Sequence, residues 1–142
     1  MVAHRFTNDP AEVSARMRLI RGKDTKPEQL VFSLLTQAGI PFEKHCRISG
    51  VTVDALVDGK IALFVDSPFW HLKDERTLDR LSPYWKARLR RNRARDSRQA
   101  RRLRSEGFTV LRVWADELEP RRVVRRVRTC MTRASRRAQA AT

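Results

Sequence analysis

The chain has 142 residues, enough for one compact domain and too few for two of ordinary size. Its 31 Lys and Arg residues against 16 Asp and Glu give a formal net charge of +15. Such an excess favours a polyanionic partner, most often a nucleic acid. A ribosome-associated protein, a binder of acidic membranes or general solubility would also account for the charge.

Several classes of protein are disfavoured by what the sequence lacks. No apolar run approaches the roughly 20 residues that span a bilayer, and residues 1–10 lack the apolar core of a signal peptide. Cys46 and Cys130 lie far apart, without the spacing of metal ligands, and read as free thiols in a reducing compartment. We therefore expect a cytoplasmic, nucleoid-associated protein with no membrane partner.

The first half of the chain predicts a flexible arm over residues 1–12, a short helix over 13–20 and a longer second helix. Asp24 or Thr25 can cap this second helix, Pro27 lies in its first turn and Gly39 ends it. Its apolar face is formed by Leu30, Val31, Leu34 and Leu35.

Three strands are predicted next, over residues 42–48, 51–57 and 61–65. Asp58-Gly59 is a strong hairpin signal between the second and third. A hairpin that turns at Asp58-Gly59 pairs positions that sum to about 117, which places Asp54 opposite roughly Leu63 and within reach of groups around Val65.

The second half predicts a loop over residues 69–81, a long basic helix over 83–106, a strand over 108–114 and a last helix over 121–137. Leu89, Ala100 and Leu103 are the expected buried residues of the long helix. The order of elements indicates an α/β (mixed α+β) fold, a mixed β-sheet flanked by helices. We assign residues 13–120 to the folded domain and 121–142 to a basic C-terminal helix and tail.

Charge is segregated along this order. Residues 86–104 carry ten basic side chains and one acid, Asp96. Residues 121–137 carry eight basic side chains and no acid. Acids concentrate between Asp54 and Asp79. Two basic helices around an acidic strand region are typical of a metal site between surfaces that grip a phosphate backbone. For the C-terminal helix, a merely solvated face is an equal alternative.

Hydrolysis of a phosphodiester requires an activated water and charge neutralisation, which carboxylates holding Mg²⁺ supply, while a histidine can carry protons. Asp54 interrupts an apolar strand, so it must be paired or bind a metal. Asp66 ends the next strand and His71 follows it closely. Taken singly, Asp66 can be a loop cap and His71 an ordinary surface or core histidine.

The segment from Ala62 to His71, ALFVDSPFWH, resembles VFVDGCFWHGC of the very-short-patch-repair (Vsr) mismatch endonucleases. Three more stretches resemble the family in the same order. Residues 16–28 resemble M-R-x-I-x-x-K-D-T-x-P-E, Asn92 with Asp96 matches N-x-x-x-D, and residues 106–114 resemble G-W-x-V-x-x-V-W. The resemblance extends from about Ser14 to Leu118.

The resemblance implies a restriction-endonuclease-like fold and a monomeric, Mg²⁺-dependent enzyme that nicks one strand of double-stranded DNA beside a T:G mismatch. By position, Asp54 and the backbone carbonyl of Val65 would hold the metal. His71 would be the acid/base, oriented by Asp96, and Glu28 a supporting catalytic acid. With Asp66, the candidate catalytic residues are therefore Glu28, Asp54, Asp66, His71 and Asp96.

The resemblance also implies DNA contacts. Met17, Phe69 and Trp70 match residues that wedge between base pairs next to the mismatch, a role that suits apolar side chains at an easily unstacked step. A plain core pair is the alternative for Phe69 and Trp70. On the long basic helix, the candidate DNA-binding residues are Lys86, Arg90, Arg91 and Asn92.

Departures from the family pattern concern its structural zinc. Pro68 stands where the first cysteine is expected, Leu72-Lys73 replaces Gly-Cys, and Ala115 replaces another ligand. No cysteine lies between Cys46 and Cys130, so we expect no structural zinc. Residues 51–54 also lack the proline-rich lead-in to the catalytic aspartate. Two alternatives to mismatch nicking therefore stay open: a nuclease with a homing, defence or structure-specific target, and a non-catalytic basic DNA-binding protein.

Overall fold

A four-stranded mixed sheet organises the fold, as the sequence predicts. The structure, a computed structural model, describes residues 25–140. The predicted arm over 1–12, the helix over 13–20 and Met17 lie outside the described residues. The assignment of 13–120 and 121–142 to separate regions stays a prediction.

Helix α1, Lys26–Gln37, begins at Thr25 through a capping box. The Thr25 hydroxyl accepts a hydrogen bond from the Glu28 N–H, and the Glu28 carboxylate accepts one from the Thr25 N–H. The buried residues of its apolar face are Val31, Phe32 and Leu35. Leu30, predicted for that face, is 42% exposed, so the prediction was wrong there.

Strands β1 (Phe42–Ile48), β2 (Val51–Val57) and β3 (Ile61–Asp66) are antiparallel neighbours. The predicted register of β2 against β3 was wrong by one residue, since Ala55, not Asp54, pairs with Leu63. The reason is the turn: Val57 pairs with Ile61, which leaves a loop of three residues instead of two.

The predicted loop over 69–81 contains a 3₁₀ helix, Glu75–Arg80, capped by the Asp74 side chain. Tight turns with three residues per turn escape a search for α-helical periodicity. Helix α2, Pro83–Ser105, follows, and Glu106 is its C-cap rather than its last residue. Leu89, Ala100 and Leu103 are buried as predicted, together with Trp85.

Strand β4, Thr109–Trp114, pairs with β3 in parallel and makes the sheet mixed. Helix α3, Pro120–Ala140, exceeds the prediction at both ends. Pro120 begins it, one residue before the predicted start, because a first helical position needs no backbone N–H. The Glu119 carboxylate accepts hydrogen bonds from the N–H groups of Arg121 and Arg122.

The core lies on both faces of the sheet. Helices α1 and α3 cover one face, where Val31, Leu35, Leu63, Leu111 and Val127 belong to one buried cluster. Leu103 of α2 packs on the other face in a cluster with Val51, Val53, Ala62 and Phe64. None of the helices within residues 25–140 is long and apolar enough to cross a membrane.

Candidate active site

Asp54 lies where β2 separates from β3. Their last backbone pair is Ala55–Leu63, and Oδ2 of Asp54 then accepts a hydrogen bond of 2.7 Å from the Val65 N–H. On the other side of Asp54, toward β1, His45 and Asp54 are left out of the backbone pairing that joins β1 to β2. The backbone of His45 has a φ of 51°. The Asp54 side chain, rather than its backbone, therefore connects β2 to the end of β3.

Glu28, in the first turn of α1, meets Asp54. Glu28 is 8% exposed, so its carboxylate is held inside the fold. Burial raises the pKa of Asp54 to about 7, the Val65 hydrogen bond opposes this, and a hydrogen bond to Glu28 and the negative charges of Glu28 and Asp66 add to it. Two carboxylates at one place, here the buried Glu28 and the half-buried Asp54, disfavour each other's charge unless a cation joins them.

Asp66, at the end of β3, is paired with Arg112 of β4. Asp66 is 2% exposed, and Nη1 of Arg112 donates to its two oxygens at 3.1 and 2.9 Å. The same guanidinium donates from Nη2 to the backbone carbonyl of Asp96, at 3.4 Å, and its Cζ lies 4.3 Å from the centroid of the Phe64 ring. Arg112 therefore neutralises Asp66 and ties both strands to α2.

His71 is held by Asp96. The two lie 2.5 Å apart, Nδ1 to Oδ2. Asp96 occupies the inward-facing stripe of α2, where Leu89, Ala100 and Leu103 are apolar, and this placement lets it reach the histidine.

The protonation of this pair follows from its surroundings. Burial lowers the pKa of His71, but the Asp96 hydrogen bond and the charges of Asp66 and Asp96 outweigh burial and leave the pKa raised. Burial raises the pKa of Asp96, but the His71 hydrogen bond and charge outweigh it and leave the pKa lowered. Both shifts favour an ion pair of imidazolium and carboxylate.

The five candidate catalytic residues line one open cavity of about 790 Å³. Glu28 and Asp54 enter it from α1 and β2, Asp66 and His71 from the end of β3 and the following loop, and Asp96 from α2. Nε2 of His71 lies 3.7 Å from Oδ1 of Asp66. The structure therefore brings together all the residues that the sequence proposed for catalysis.

The donor set of this cavity fits a hard divalent cation with few protein ligands. Asp54 and Glu28 supply carboxylate oxygens, and Val65 also lines the cavity. Within residues 25–140, no three His, Cys, Asp or Glu side chains are grouped as metal ligands. Mg²⁺ suits such a site, because it commonly takes one or two carboxylates and fills its octahedron with water and substrate phosphate.

The described residues that were proposed to contact DNA lie on α2 and in the loop that precedes it. Phe69 and Trp70 are half-buried, with ring centroids 6.4 and 6.0 Å from that of Trp85, which is 1% exposed. Trp70 also lines the catalytic cavity. Of the candidates on α2, Arg90 and Arg91 are exposed, and Lys86 and Asn92 are half-buried. Their roles, like that of Met17, stay predictions.

Three residues of the site escaped sequence analysis. Arg112 pairs with Asp66, and Arg95 and Gln99 bring α2 to the cavity beside Asp96. The signal for Arg112 was its place between the apolar residues of a strand, the same signal that marked Asp54. No sequence signal marked Arg95 and Gln99, because only the orientation of α2 distinguishes them from the other polar residues of this basic helix.

Replacing Arg112 with methionine is expected to destabilise the protein by about 2–3 kcal/mol, because it leaves the buried Asp66 carboxylate unpaired. Denaturant unfolding measures this. The double variant R112M/D66N should recover much of the loss, since no buried charge is then unpaired. A single variant no less stable than Arg98→Met, a change at an exposed arginine, would contradict the expectation.

Comparison with known proteins places the chain in a family. The family described as DNA mismatch endonuclease Vsr matches residues 6–77. Type II nicking enzyme V.XorIIP of Xanthomonas oryzae pv. oryzae is 37% identical over 107 residues, 72% of this chain and 78% of the relative. DNA mismatch endonuclease Vsr of Escherichia coli (strain K12) is 31% identical over 121 residues, 80% of this chain and 76% of the relative.

Among solved structures, the catalytic domain of homing endonuclease I-Bth0305I is similar, with a TM-score of 0.50 and 22% identity. The match covers 78% of this chain and 94% of that one, and it supports the restriction-endonuclease-like fold. On the family match and the identity to its members, the chain belongs to the Vsr family and is a DNA endonuclease.

Proposed function

We propose that this endonuclease nicks one strand of double-stranded DNA at or near T:G mismatches, with Mg²⁺ as its cofactor. The observation that carries the proposal is the shared cavity, in which the paired carboxylates of Asp54 and Glu28 and the His71–Asp96 pair line the same space. One group fits a cation and the other carries a proton, the two requirements of phosphodiester hydrolysis.

Asp54 and the Val65 carbonyl would hold the ion, with Glu28 supporting Asp54. When bound, Mg²⁺ lowers the pKa of a water and offsets charge on the phosphate. The Val65 N–H orients the Asp54 carboxylate through its 2.7 Å hydrogen bond.

His71 exchanges a proton with a reacting oxygen at Nε2, because its Nδ1 is engaged by Asp96. Arg112 holds the carboxylate of Asp66, whose Oδ1 lies 3.7 Å from Nε2 of His71. The Nε2 side of the imidazole can therefore face the substrate while Asp96, at Nδ1, sets the orientation of the ring.

A second candidate keeps the nuclease and changes its target. The half-buried packing of Phe69 and Trp70 against Trp85 favours it, because rings held in an aromatic cluster must leave their contacts to wedge between bases. The guanidinium of Arg88 adds to the cluster, with Cζ 5.4 Å from the centroid of Trp70.

Three duplexes that differ only in a central T:G, C:G or T:A pair test the proposal. We expect an Mg²⁺-dependent nick in the T:G duplex alone, absent in Asp54→Ala and with a chelator. Metal-dependent cleavage of all three duplexes would support the second candidate. Tight, salt-sensitive binding without cleavage of any duplex would contradict nicking.

A further inference from the structure

A second cavity lies on the other side of His71. It has a volume of about 580 Å³ and shares four residues with the catalytic cavity: Asp66, His71, Asp96 and Arg112. These four side chains therefore form a wall between two neighbouring cavities. The remaining lining of the second cavity is strongly basic and includes Lys73, Arg93, Arg101 and Arg104.

The periodicity of α2 explains this division. Asp96, Ala100 and Leu103 face the sheet along one stripe of the helix. Arg95 and Gln99, on one flank of the stripe, line the catalytic cavity. The opposite flank, which carries Arg93, Ser97, Arg101 and Arg104, lines the second cavity. One helix thus contributes to both cavities.

Within residues 25–140, the charge of the second cavity is only partly compensated by acids. Its two acids are already engaged, Asp66 by Arg112 and Asp96 by His71. Lys73 pairs with Asp116 and Glu117 at 3.0 and 2.8 Å, and Arg93 pairs with Glu75 at 2.7 Å.

Arg101 and Arg104 differ from these. Both are exposed, and within residues 25–140 neither forms an ion pair with an acid. Two such guanidinium groups, beside the Ser97 hydroxyl, make a cavity suited to phosphate oxygens.

We propose that the second cavity binds backbone phosphates of the DNA substrate on one side of the scissile phosphate, through Arg101 and Arg104. The inference rests on the cleavage site lying in the first cavity. A strand whose phosphate lies at His71 continues past the wall, and on this side it meets guanidinium groups that pair with no acid of residues 25–140. Such contacts fix the register of the strand without reading its sequence.

The test compares two double variants of α2 in metal-free protein. Arg101→Gln/Arg104→Gln removes the proposed contacts, and Arg98→Gln/Arg102→Gln removes the same charge from exposed arginines that line neither cavity. Binding to a fully matched 20-base-pair duplex is measured by fluorescence anisotropy at several salt concentrations.

We expect Arg101→Gln/Arg104→Gln to weaken binding about tenfold and to reduce the salt slope, log K against log [salt], by about 2. The matched control, Arg98→Gln/Arg102→Gln, should change the affinity and the salt slope far less. Equal losses in both variants would indicate bulk charge and overturn the proposal, as would an unchanged slope in the first. Loss of binding to poly-glutamate with unchanged DNA binding would assign the cavity to an acidic protein segment instead.

Because binding is measured without metal and without a mismatch, this outcome is separate from the mismatch proposal. A protein that cleaves all three duplexes or none can still show the expected slopes. If it nicks only the T:G duplex and the slopes do not change, the second cavity alone is refuted as a phosphate site.

Discussion

Replacing Asp54 with asparagine is expected to reduce nicking by about a thousandfold or more and, in metal-free protein, to raise thermal stability. Activity falls because an amide cannot supply the charge that holds the cation. Stability rises because the amide can still accept the Val65 hydrogen bond but adds no charge beside Glu28. We expect a gain of about 1–2 kcal/mol near neutral pH, or roughly 3–8 °C.

The gain should depend on pH in a defined direction. Burial raises the pKa of Asp54 to about 7 in the folded protein, whereas an unfolded aspartate has a pKa of about 3.9. Between these values the folded state binds more protons, so the stability of the wild-type protein falls as pH rises. The advantage of the variant should therefore grow from about pH 4 to about pH 7 and stay constant above.

Differential scanning calorimetry in a chelator, repeated with Mg²⁺, measures the effect. Added Mg²⁺ should stabilise the wild-type protein, because the ion binds only the folded site. The difference in melting temperature between Asp54→Asn and the wild-type protein should therefore narrow. Asp79→Asn, the same change at an exposed position, should alter neither activity nor melting temperature. Retained nicking, or a variant less stable than wild type in chelator, would contradict the assignment of Asp54.

Local sequence signals predicted the elements of the fold well. Strands β1 and β2 begin and end where apolar alternation and turn residues place them. The signals did not resolve loop geometry. Asp58-Gly59 marked a turn, but whether the loop holds two or three residues depends on how the strands twist together. That choice decided that Ala55, and not Asp54, pairs with Leu63.

The candidate site was predictable where a charged residue stood in an apolar context. Asp54 and Asp66 broke apolar strands, His71 followed Asp66 closely, and the resemblance to the family added Glu28 and Asp96. The second cavity could not be predicted, because Arg101 and Arg104 look like every other arginine of residues 86–104. Only the packed orientation of α2 shows which flank of the helix faces which cavity.

Phe69 and Trp70 show the limit of motif reasoning. The motif predicts side chains that wedge into DNA, whereas the structure places them against the buried Trp85. Both arrangements use an apolar ring, so the sequence does not separate them. The energy of leaving the aromatic cluster, against that of unstacking a mispaired step, decides which contact the rings make on DNA.

Replacing Asp96 with asparagine is expected to lower kcat by about 10²-fold or more while substrate binding changes little. The amide removes the charge that holds His71 as an imidazolium and no longer fixes which ring nitrogen carries the proton. The pKa of His71 should fall, so the part of the pH–rate profile that reports this residue moves to lower pH. An NMR titration of the imidazole measures the same shift without catalysis.

Stability offers an independent check of the pair. The pKa of His71 is raised in the folded protein, so its contribution to stability is complete below about pH 6.5 and is lost as pH rises through the raised value. The depressed pKa of Asp96 adds stability above about pH 3.9. The deficit of Asp96→Asn should therefore be larger at pH 6 than at pH 9. A lower kcat with an unshifted His71 titration and an equal deficit at both pH values would mean that Asp96 supports the fold of α2 and does not tune the histidine.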